Sequence, residues 1–314
     1  MASLLTGVGY IGLGLLRRLQ ARGERVVSID NFFSTPRDRL PPDVEVLEGD
    51  VAEPTDVARA FERATFPDDG QTLVVYHLAA QPSAAIAARD PAYTERTNLV
   101  GARVVLEAAR ERRARVVFGG SFRVYGDDLV GQTVDEDTPY GKVGDLSHLS
   151  KLYVEQLARM LGVPFVSVRL GVTYGLAPLM KTHDPALMTV PNLFCQRAAR
   201  GEVLHVLEDR PLAFIHVQDA VEALLLAAER VSSASAWEVV NAAPEVATIG
   251  QVARIVQRLA QQRGRWVRLH GAATSGATAT FEVRSKLKPS LQACHSLEQD
   301  LGEVFDFFLS CRSN

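Results

Sequence analysis

In the first half of the chain, short runs of β-branched and apolar residues alternate with longer stretches in which apolar residues recur every three or four positions. The short runs predict strands at residues 3–5, 25–29, 44–48, 73–77, 116–118 and 165–168. The longer stretches predict helices at residues 12–21, 55–64, 93–112 and 148–161. Strands and helices that alternate at this spacing predict βαβ units, and therefore a parallel sheet covered by helices on both faces.

The pattern changes after about residue 172. Pro178, Pro185 and Pro191 interrupt a loop-rich stretch. Helical patterns follow at residues 192–200, 217–229, 249–262 and 297–309, and the small and polar residues 271–280 predict a loop. We therefore predict an α/β protein with two domains. A doubly wound parallel sheet occupies residues 1–172, and a smaller C-terminal α/β lobe occupies residues 173–314 and returns one strand to the main sheet.

The composition narrows the class of protein. The chain has 314 residues, of which 47% are hydrophobic and 23% are charged, as is usual for a globular protein with a packed core. Its net charge of −3 provides no basic field for nucleic acid, and its apolar runs are too short to span a membrane. Cys195, Cys294 and Cys311 fit neither a disulfide framework nor a zinc site, and the N-terminus lacks a signal-peptide pattern. We expect a cytoplasmic protein with no metal, membrane contact or nucleic-acid partner.

A glycine motif follows the first predicted strand. Gly7, Gly9 and Gly12 have the spacing GxGxxG between a strand and a helix. Gly7 permits the tight turn, Gly9 lets the backbone approach a pyrophosphate, and Gly12 allows the helix to pack closely on the strand. Asp30 ends the second predicted strand, where a carboxylate accepts the ribose hydroxyls of NAD and repels the extra phosphate of NADP. The motif therefore predicts a dinucleotide site, with NAD as the cofactor.

Further segments, in order along nearly the whole chain, resemble the extended short-chain dehydrogenase/reductase family, which contains NAD-dependent nucleotide-sugar epimerases and dehydratases. The segments are His77-Leu-Ala-Ala80, Ser121-Phe-Arg-Val-Tyr-Gly126, Ser150-Lys-Leu and Phe214-Ile-His-Val-Gln-Asp219. The resemblance implies a Rossmann-type fold with a C-terminal substrate lobe. It also implies contacts to the cofactor from Gly7, Gly9, Tyr10, Ile11, Gly12, Asp30, Asn31, Asp50, Val51, Leu78, Ala79, Ala80, Asn98 and Lys151. In this set, Asp50 would contact the adenine, and Asn98 would order the backbone of the active site.

The predicted active site departs from the family's pattern. The family uses a Ser or Thr, together with a Tyr and a Lys spaced YxxxK on one helix, where the lysine lowers the pKa of the tyrosine. The resemblance places the serine at Ser121 and the lysine at Lys151, but the residue four before the lysine is Ser147. An aliphatic hydroxyl is a far poorer general base than a phenol.

The identity of the proton acceptor therefore stays open. The catalytic candidates besides Ser121 and Lys151 are Ser147, His148 and Tyr140, and Tyr125 and Tyr174 are further candidates from neighbouring loops. A histidine titrates near neutral pH, so His148 has suitable chemistry. The commoner role of a histidine in this setting is that of a partly exposed helix residue.

The candidate substrate contacts are Ser121, Arg123, Val172 and Arg210. Val172 stands where the family usually has an asparagine that holds the sugar nucleotide. Arg123 lies where the 4,6-dehydratase branch has part of an acidic pair, so that chemistry is not expected. Arg210 lies near the position of the family's pyrophosphate-binding arginine but at a different spacing, so it is either a diphosphate contact or a surface residue.

These features predict an NAD-dependent epimerase or dehydratase that acts on a nucleotide sugar, or a related hydroxyl or keto substrate, by transient hydride transfer. Two alternatives stay open. The first is an oxidoreductase for a non-nucleotide natural product, and the second is an NAD-binding sensor or partner subunit without ordinary redox turnover. The resemblance also implies a homodimer formed by the helices at residues 93–112 and 148–161, although their apolar faces could simply cover the sheet.

Overall fold

The structure is a computed structural model that describes residues 2–65, 72–233, 237–271, 280–288 and 290–311. Its strands are β1 (Ala2–Thr6), β2 (Arg25–Asp30), β3 (Leu47–Glu48), β4 (Val74–His77), β5 (Arg115–Ser121), β6 (Thr133–Val134), β7 (Phe165–Leu170), β8 (Val172–Tyr174), β9 (Leu204–Val206), β10 (Pro211–His216), β11 (Trp237–Ala242), β12 (Glu245–Thr248), β13 (Leu269–Gly271) and β14 (Glu282–Val283). Its α-helices are α1 (Gly12–Ala21), α2 (Pro54–Ala64), α3 (Ala84–Arg89), α4 (Pro91–Glu95), α5 (Gly101–Glu111), α6 (Leu146–Leu161), α7 (Val190–Ala199), α8 (Val217–Ser233), α9 (Ile249–Gln262) and α10 (Leu297–Ser310).

The large sheet has seven strands in the order β11-β7-β5-β4-β1-β2-β3, and each neighbouring pair is parallel. The prediction of a doubly wound parallel sheet is therefore confirmed. The strand order changes direction between β1 and β4, and a crevice opens beyond the carboxyl ends of strands at such a point. The glycine motif after β1 and the segment after β4 both lie at this crevice.

Helices cover both faces of the large sheet. On one face, α1 and α8 pack together with the sheet, and Leu13, Leu16 and Leu224 are fully buried there. On the other face, α2, α5 and α6 cover the sheet, and their buried residues include Phe61 and Val105. Burial of each such side chain contributes about 1.5–3 kcal/mol. The apolar stripe of each helix therefore fixes which side of that helix faces the sheet.

The second half of the chain builds a smaller lobe. It contains a three-stranded sheet in the order β12-β10-β8 and a two-stranded sheet of β9 and β13, against which α7, α9 and α10 pack. From the same half, β11 lies beside β7 at the edge of the large sheet. Gly271 ends β13 instead of starting the predicted loop, and residues 272–279 of that loop lie outside the described residues. Within the described ranges, none of the helices combines the length and the apolar character needed to cross a membrane.

Two predicted elements differ from the structure. The predicted helix at residues 93–112 consists of α4, a π-helical turn at Arg96–Val100, and α5. The π turn contains the buried Asn98, whose side chain bonds to neighbouring backbone instead of facing solvent. The strand predicted at residues 44–48 is confined to β3, because the N–H of Val44 bonds to the carbonyl of Pro41 in a turn.

Candidate functional site

A single continuous cavity of about 740 Å³ lies over the crevice. Its lining includes the predicted cofactor residues Gly7, Gly9, Tyr10, Ile11, Gly12, Asp30, Asn31, Val51, Leu78, Ala79 and Ala80. It also includes the predicted catalytic and substrate residues Ser121, Arg123, Ser147, His148, Lys151, Val172 and Arg210. Five predicted residues do not line the cavity, namely Asp50, Asn98, Tyr125, Tyr140 and Tyr174. The fold thus brings together segments that are more than 200 residues apart in sequence.

The glycine turn between β1 and α1 allows very close backbone contacts. Gly7 has a φ of +87°, and a Cβ on it would lie 2.6 Å from the amide nitrogen of Ala79. A Cβ on Gly12 would lie 2.0 Å from the carbonyl oxygen of Gly7. Neither position can therefore carry a side chain without displacing backbone. A Cβ on Gly9 would make ordinary van der Waals contacts, at 3.6 Å from Thr35 Oγ1 and 3.7 Å from the side chain of Lys181. Gly9 lines the cavity beside the N-terminus of α1, which is the place that favours phosphate.

The carboxylate of Asp30 is held at the edge of the cavity by backbone. Its Oδ2 accepts the N–H of Val8 at 2.7 Å, and its Oδ1 accepts the N–H of Phe32 at 2.7 Å. Burial raises the pKa of Asp30, while these two N–H groups and the charge of Lys181 oppose the rise. A fixed carboxylate at the end of β2, in the same cavity as the start of α1, fits the ribose and phosphates of NAD.

Lys181 lies in the same part of the cavity, and sequence reasoning did not identify it. Its Nζ donates to Ser34 Oγ at 3.1 Å and lies 3.7 Å from the place where a Cβ of Gly9 would be. Burial lowers the pKa of Lys181 to about 8, although Asp30 opposes this shift. The next residue, Thr182, accepts a hydrogen bond from Arg39 at 2.8 Å. No local pattern marks this lysine, because it lies in an irregular loop far along the chain.

Asn98 and Asp50 act from outside the cavity. Asn98 Oδ1 accepts the N–H of Gln81 at 2.7 Å, and its Nδ2 donates to the Gln81 carbonyl at 2.9 Å and to Ser150 Oγ at 3.0 Å. It therefore ties the segment after β4 to α6. Asp50 Oδ1 accepts the N–H of Ala52 at 2.9 Å, and its Oδ2 pairs with Arg96 at 3.2 Å. In this structure the Asp50 side chain orders its own loop instead of facing the cavity.

Lys151 projects from α6 towards the end of β5. Its Nζ donates to the carbonyl of Gly119 at 2.7 Å and lies 4.7 Å from the centre of the Phe118 ring. Burial lowers the pKa of Lys151 to about 8, with Glu155 opposing the shift. An ammonium group has three protons, so a lysine that spends one on Gly119 keeps others for a ligand in the cavity.

Asp145 orients His148, and sequence reasoning missed this relationship. Asp145 is the N-cap of α6, and its Oδ2 accepts a hydrogen bond from His148 Nδ1 at 2.6 Å. Its Oδ1 accepts from the hydroxyl of Ser147 and from the N–H of His148, the latter at 3.1 Å. Burial raises the pKa of Asp145, but the hydrogen bonds from His148 and Ser147 outweigh it and hold the pKa below its usual value. The sequence signal that could have revealed this pair is an Asp at a helix start followed three residues later by a His.

The geometry divides the roles of Ser147 and His148. Because His148 Nδ1 donates to a carboxylate, the neutral ring carries its lone pair on Nε2, which has no partner among the described residues. The hydroxyl of Ser147 donates its proton to Asp145, so it stabilises that carboxylate and does not take the place of the family's tyrosine. His148 thus has an oriented ring in the cavity, which differs from the expected role of a plain helix residue.

The three tyrosine candidates are held elsewhere, which corrects the expectation for Tyr140. The Tyr140 hydroxyl donates to Glu155 at 3.0 Å and accepts from Gln156 at 2.8 Å. The Tyr125 hydroxyl donates to Asn241 and accepts from Arg169, and the Tyr174 hydroxyl donates to Glu245. These bonds belong to buried polar networks, chiefly the ion pair of Arg169 with Glu155. The described tyrosines that line the cavity are Tyr10 and Tyr93, both of them at the cofactor end.

The substrate end of the cavity is rich in arginine. Ser121 Oγ accepts the N–H of Arg123 at 3.2 Å, which leaves its own proton free to donate to a ligand oxygen. Arg123 pairs with Asp127 at 3.0 Å, and Arg210 pairs with the same carboxylate. Burial and the nearby Arg210 lower the pKa of Arg123, while Asp127 opposes them. Val172 lies beside these groups and supplies only an apolar surface.

Comparison with known proteins identifies the family of this chain. Residues 3–243 match the NAD dependent epimerase/dehydratase family. The chain is 30% identical over 235 residues to UDP-glucuronic acid decarboxylase 4 of Arabidopsis thaliana, across 70% of this chain and 48% of that protein. It is 27% identical over 274 residues to UDP-N-acetyl-alpha-D-glucosaminuronate decarboxylase of Bacillus cytotoxicus, across 83% of this chain and 80% of that protein.

Among solved structures, UDP-glucose 4-epimerase of Thermotoga maritima with UDP-glucose has the same fold. It superposes with a TM-score of 0.82 at 23% identity, across 99% of this chain and 100% of that one. The chain spans about half the length of the first Arabidopsis relatives that it matches. The resemblance read from the sequence motifs and the predicted fold class are therefore confirmed.

Proposed function

The chain belongs to the NAD-dependent epimerase/dehydratase family, and from this premise we propose that it is an enzyme that oxidises a hydroxyl of a nucleotide-linked sugar by transient hydride transfer to NAD. One observation carries the proposal. Ser121, His148 and Lys151 line the same cavity as the glycine turn and Asp30, so a reacting hydroxyl and a dinucleotide would meet there. We assign residues 1–172 to a domain that binds the cofactor and carries Ser121 and His148, and residues 173–314 to a substrate lobe from which Lys181 reaches the cofactor end of the cavity.

The substrate class is supported by the relatives. The two decarboxylases and the epimerase described above are all named for UDP-linked sugars. Some of these sugars are neutral and others carry a carboxylate, so the comparisons leave that feature of the substrate open. In this chain, the guanidinium of Arg210 beside the cavity is suited to a diphosphate, since arginine pairs with phosphate oxygens through two N–H groups.

We assign the proton transfer to His148. Asp145 accepts the Nδ1 proton of the imidazole, so we propose Nε2 as the acceptor for the proton of a sugar hydroxyl. Ser121 would donate a hydrogen bond to that oxygen, and the carboxylate of Asp145 would stabilise the imidazolium that forms. The same histidine would return the proton when the keto group is reduced back to a hydroxyl. Such a positioned acid–base contributes about 10²–10⁴-fold in rate.

The residues that would hold NAD are at hand. Asp30 would accept the ribose hydroxyls, the start of α1 would face the phosphates, and Lys151 would contact the nicotinamide ribose, as the family resemblance implies. NAD, when bound, supplies the acceptor for the hydride that leaves the carbinol carbon. Lys151 also places a positive charge beside the reacting oxygen, which favours the loss of its proton.

The test is a panel of nucleotide sugars incubated with NAD-loaded protein and followed by NMR. We expect conversion of at least one substrate by the wild type, loss of at least about 100-fold in His148→Gln, and near-normal rates in the exposed control His205→Gln. If only Ser147→Tyr is active, the natural protein binds NAD without turnover and the proposal fails. If non-nucleotide alcohols react and nucleotide sugars do not, the proposed substrate class is wrong.

We further propose a homodimer through α5 and α6. Three large apolar side chains on these helices are exposed, although such side chains are usually buried. They are Val100, next to the start of α5, at 46%, and Leu149 and Met160 on α6, at 48% and 84%. A second copy packed on these two helices would bury these side chains around a two-fold axis.

The cysteines support a proposal about the compartment. Cys195, Cys294 and Cys311 are unpaired thiols, which supports a reducing, cytoplasmic setting for this protein.

A further inference from the structure

Two histidines and an aspartate come together outside the cavity. His216 is the last residue of β10, whereas His295 precedes α10 and Asp300 lies in the first turn of that helix. One possible ligand atom from each of the three residues lies within 4.8 Å of the other two. His216 is buried, and His295 and Asp300 are half-buried. None of the three lines the cavity, so the proposed function does not use them.

Hydrogen bonds and packing hold the two imidazole rings in place. The ring centres of His216 and His295 are 3.9 Å apart, and their planes differ by 23°. His295 Nδ1 bonds to Asp300 Oδ1 at 3.0 Å, and His216 Nδ1 accepts the N–H of Gln218 at 3.3 Å. Neither Nε2 has a hydrogen-bond partner among the described residues. A Cβ on Gly175 would lie 2.1 Å from His216 Nε2, so the glycine makes room for this ring.

The surroundings of these three residues are rich in carboxylates. Asp219 is buried, and its Oδ2 has no hydrogen-bond partner within the described part of the chain. Burial raises the pKa of Tyr174, and the charges of Glu245, Asp300 and Asp219 raise it further, so three carboxylates lie near one hydroxyl.

This negative charge is only partly offset. Backbone N–H groups bond to all three carboxylates, and the ring of His295 pairs with Asp300 and acts on Asp219. Within the described ranges, no lysine or arginine forms an ion pair with Asp219, Glu245 or Asp300. Partly buried carboxylates without a fixed cation favour the binding of a positive ion.

We propose that His216, His295 and Asp300 bind one divalent cation of the zinc class. Two imidazoles and a carboxylate are donors that Zn²⁺ accepts, whereas Mg²⁺ and Ca²⁺ prefer oxygen ligands alone. Ligand atoms around a tetrahedral zinc lie about 3.3 Å apart, so separations of up to 4.8 Å would shorten by up to about 1.5 Å on binding. Asp219 lies outside this set of three and would balance part of the charge of the ion.

The ion would join two parts of the protein that are distant in sequence. β10 continues into α8, which packs on the large sheet, and α10 packs in the C-terminal lobe. A metal held by residues from both segments stabilises the folded state, because the unfolded chain does not hold the three ligands together. The expectation of no metal rested on the spacing of the cysteines, and no short spacing of histidines marks this cluster in the sequence.

The test titrates the full chain with Zn²⁺ alone, after removal of metal by a chelator and of any histidine tag, by isothermal titration calorimetry. We expect one ion per chain with a Kd of about 1 μM or lower. Saturating Zn²⁺ should raise the unfolding temperature by about 3–6 °C, and Mg²⁺ at the same concentration should not. His295→Gln and Asp300→Asn should each weaken this site at least about tenfold and remove the rise.

The matched control is a second pair of histidines. His205 and His270 are exposed on neighbouring strands of the C-terminal lobe, with ring centres 5.3 Å apart. The double variant His205→Gln, His270→Gln should keep the site and the rise in unfolding temperature. Asp300→Asn preserves the shape of its side chain, and circular dichroism of each metal-free variant separates the loss of a ligand from a folding defect.

Two results would overturn the inference. The first is a wild type that binds no Zn²⁺ below about 100 μM, in which case no ion of this class balances the carboxylates. The second is binding that the control variant abolishes and that His295→Gln and Asp300→Asn retain, which would place the ion on the exposed pair. Both results would leave the proposed function intact, because the three proposed ligands do not line the cavity.

Discussion

His148 donates its Nδ1 proton to Oδ2 of Asp145 at 2.6 Å, within the first turn of α6. Because Asp145 is also the N-cap of that helix, one carboxylate both starts the helix and orients the imidazole. The His148 ring lines the same cavity as Lys151. The family has a tyrosine as the proton acceptor, at the position four residues before the lysine. In the proposed function, an imidazole oriented by a carboxylate takes the place of a phenol activated by a lysine.

The first prediction concerns Asp145. In Asp145→Asn we expect kcat to fall about 10- to 100-fold with little change in KM, because an amide caps the helix equally well but does not stabilise an imidazolium. Steady-state kinetics on the NAD-loaded protein measures this. The exposed Asp137→Asn is the matched control and should behave like the wild type. An unchanged kcat in Asp145→Asn would show that the Asp145–His148 pair has no part in proton transfer.

The second prediction concerns the pH dependence. Burial lowers the pKa of Lys151 to about 8, so its charge is lost as the pH rises through about 8 instead of near 10.5. If this charge is needed, kcat/KM should fall about tenfold for each pH unit above 8. The variant Lys151→Arg carries a group that stays charged over this pH range. Its remaining kcat/KM should therefore show no decline above pH 8.

The titration of Lys151 does not destabilise the folded state above pH 8, so unfolding linked to this residue cannot explain a decline in kcat/KM. The folded-state pKa of Lys151 lies below the unfolded value, so the folded state binds fewer protons between these two values. Its contribution to the free energy of unfolding therefore rises as the pH increases from about 8 to about 10.5. Lys181, whose pKa is also lowered to about 8, contributes in the same direction. A decline in rate that follows a loss of folded protein would contradict this prediction.

The third prediction concerns Lys181. Its Nζ lies beside Gly9 in the glycine turn, where the NAD phosphates are expected. Lys181→Met should weaken NAD binding about tenfold, since a charge-assisted contact to phosphate is lost. Titration calorimetry with NAD measures the effect, and the exposed Lys142→Met serves as the control. Equal affinities for the two variants would place the phosphates away from Lys181.

The fourth prediction concerns Asn98, which bonds to both backbone groups of Gln81 and to Ser150 inside the protein. Asn98→Ala should lower the free energy of unfolding by about 1–3 kcal/mol, because buried polar groups lose their partner. Urea denaturation measures it. The exposed Gln132→Ala is the comparison, and a loss no greater than in that variant would refute the assignment of Asn98 as a structural tie.

The fifth prediction concerns assembly. We expect light scattering to give twice the chain mass of 34.2 kDa for the wild type, and the single chain mass for the double variant Val100→Glu, Met160→Glu. Charges placed on the proposed two-helix interface would repel across the two-fold axis. Leu207→Glu changes a residue that is 93% exposed in the other lobe and should leave the dimer intact. A monomeric wild type would exclude the proposed interface.

Much of the fold followed from local patterns. The spacing of apolar residues predicted β1, α1 and β2 in the right order. A strand covered on both faces has a continuous run of buried residues, whereas a helix covered on one side has a buried residue every three or four positions. Gly7 and Gly12 marked the turn because their backbone contacts leave no room for a Cβ. The π turn at Arg96–Val100 was not visible in the sequence pattern, and the Asn98 in this turn bonds to groups distant in sequence.

The sequence by itself determined the family, the parallel sheet, the dinucleotide turn and the absence of tyrosine four residues before Lys151. These are properties of residue type and spacing along one segment. Only the tertiary structure decided that His148 has an oriented ring in the cavity, that Tyr140 is held by Glu155, and that Lys181 lies beside Gly9. Each of these depends on which side chain lies within about 3 Å of another, and hydrogen bonds and desolvation act over that distance whatever the separation along the chain.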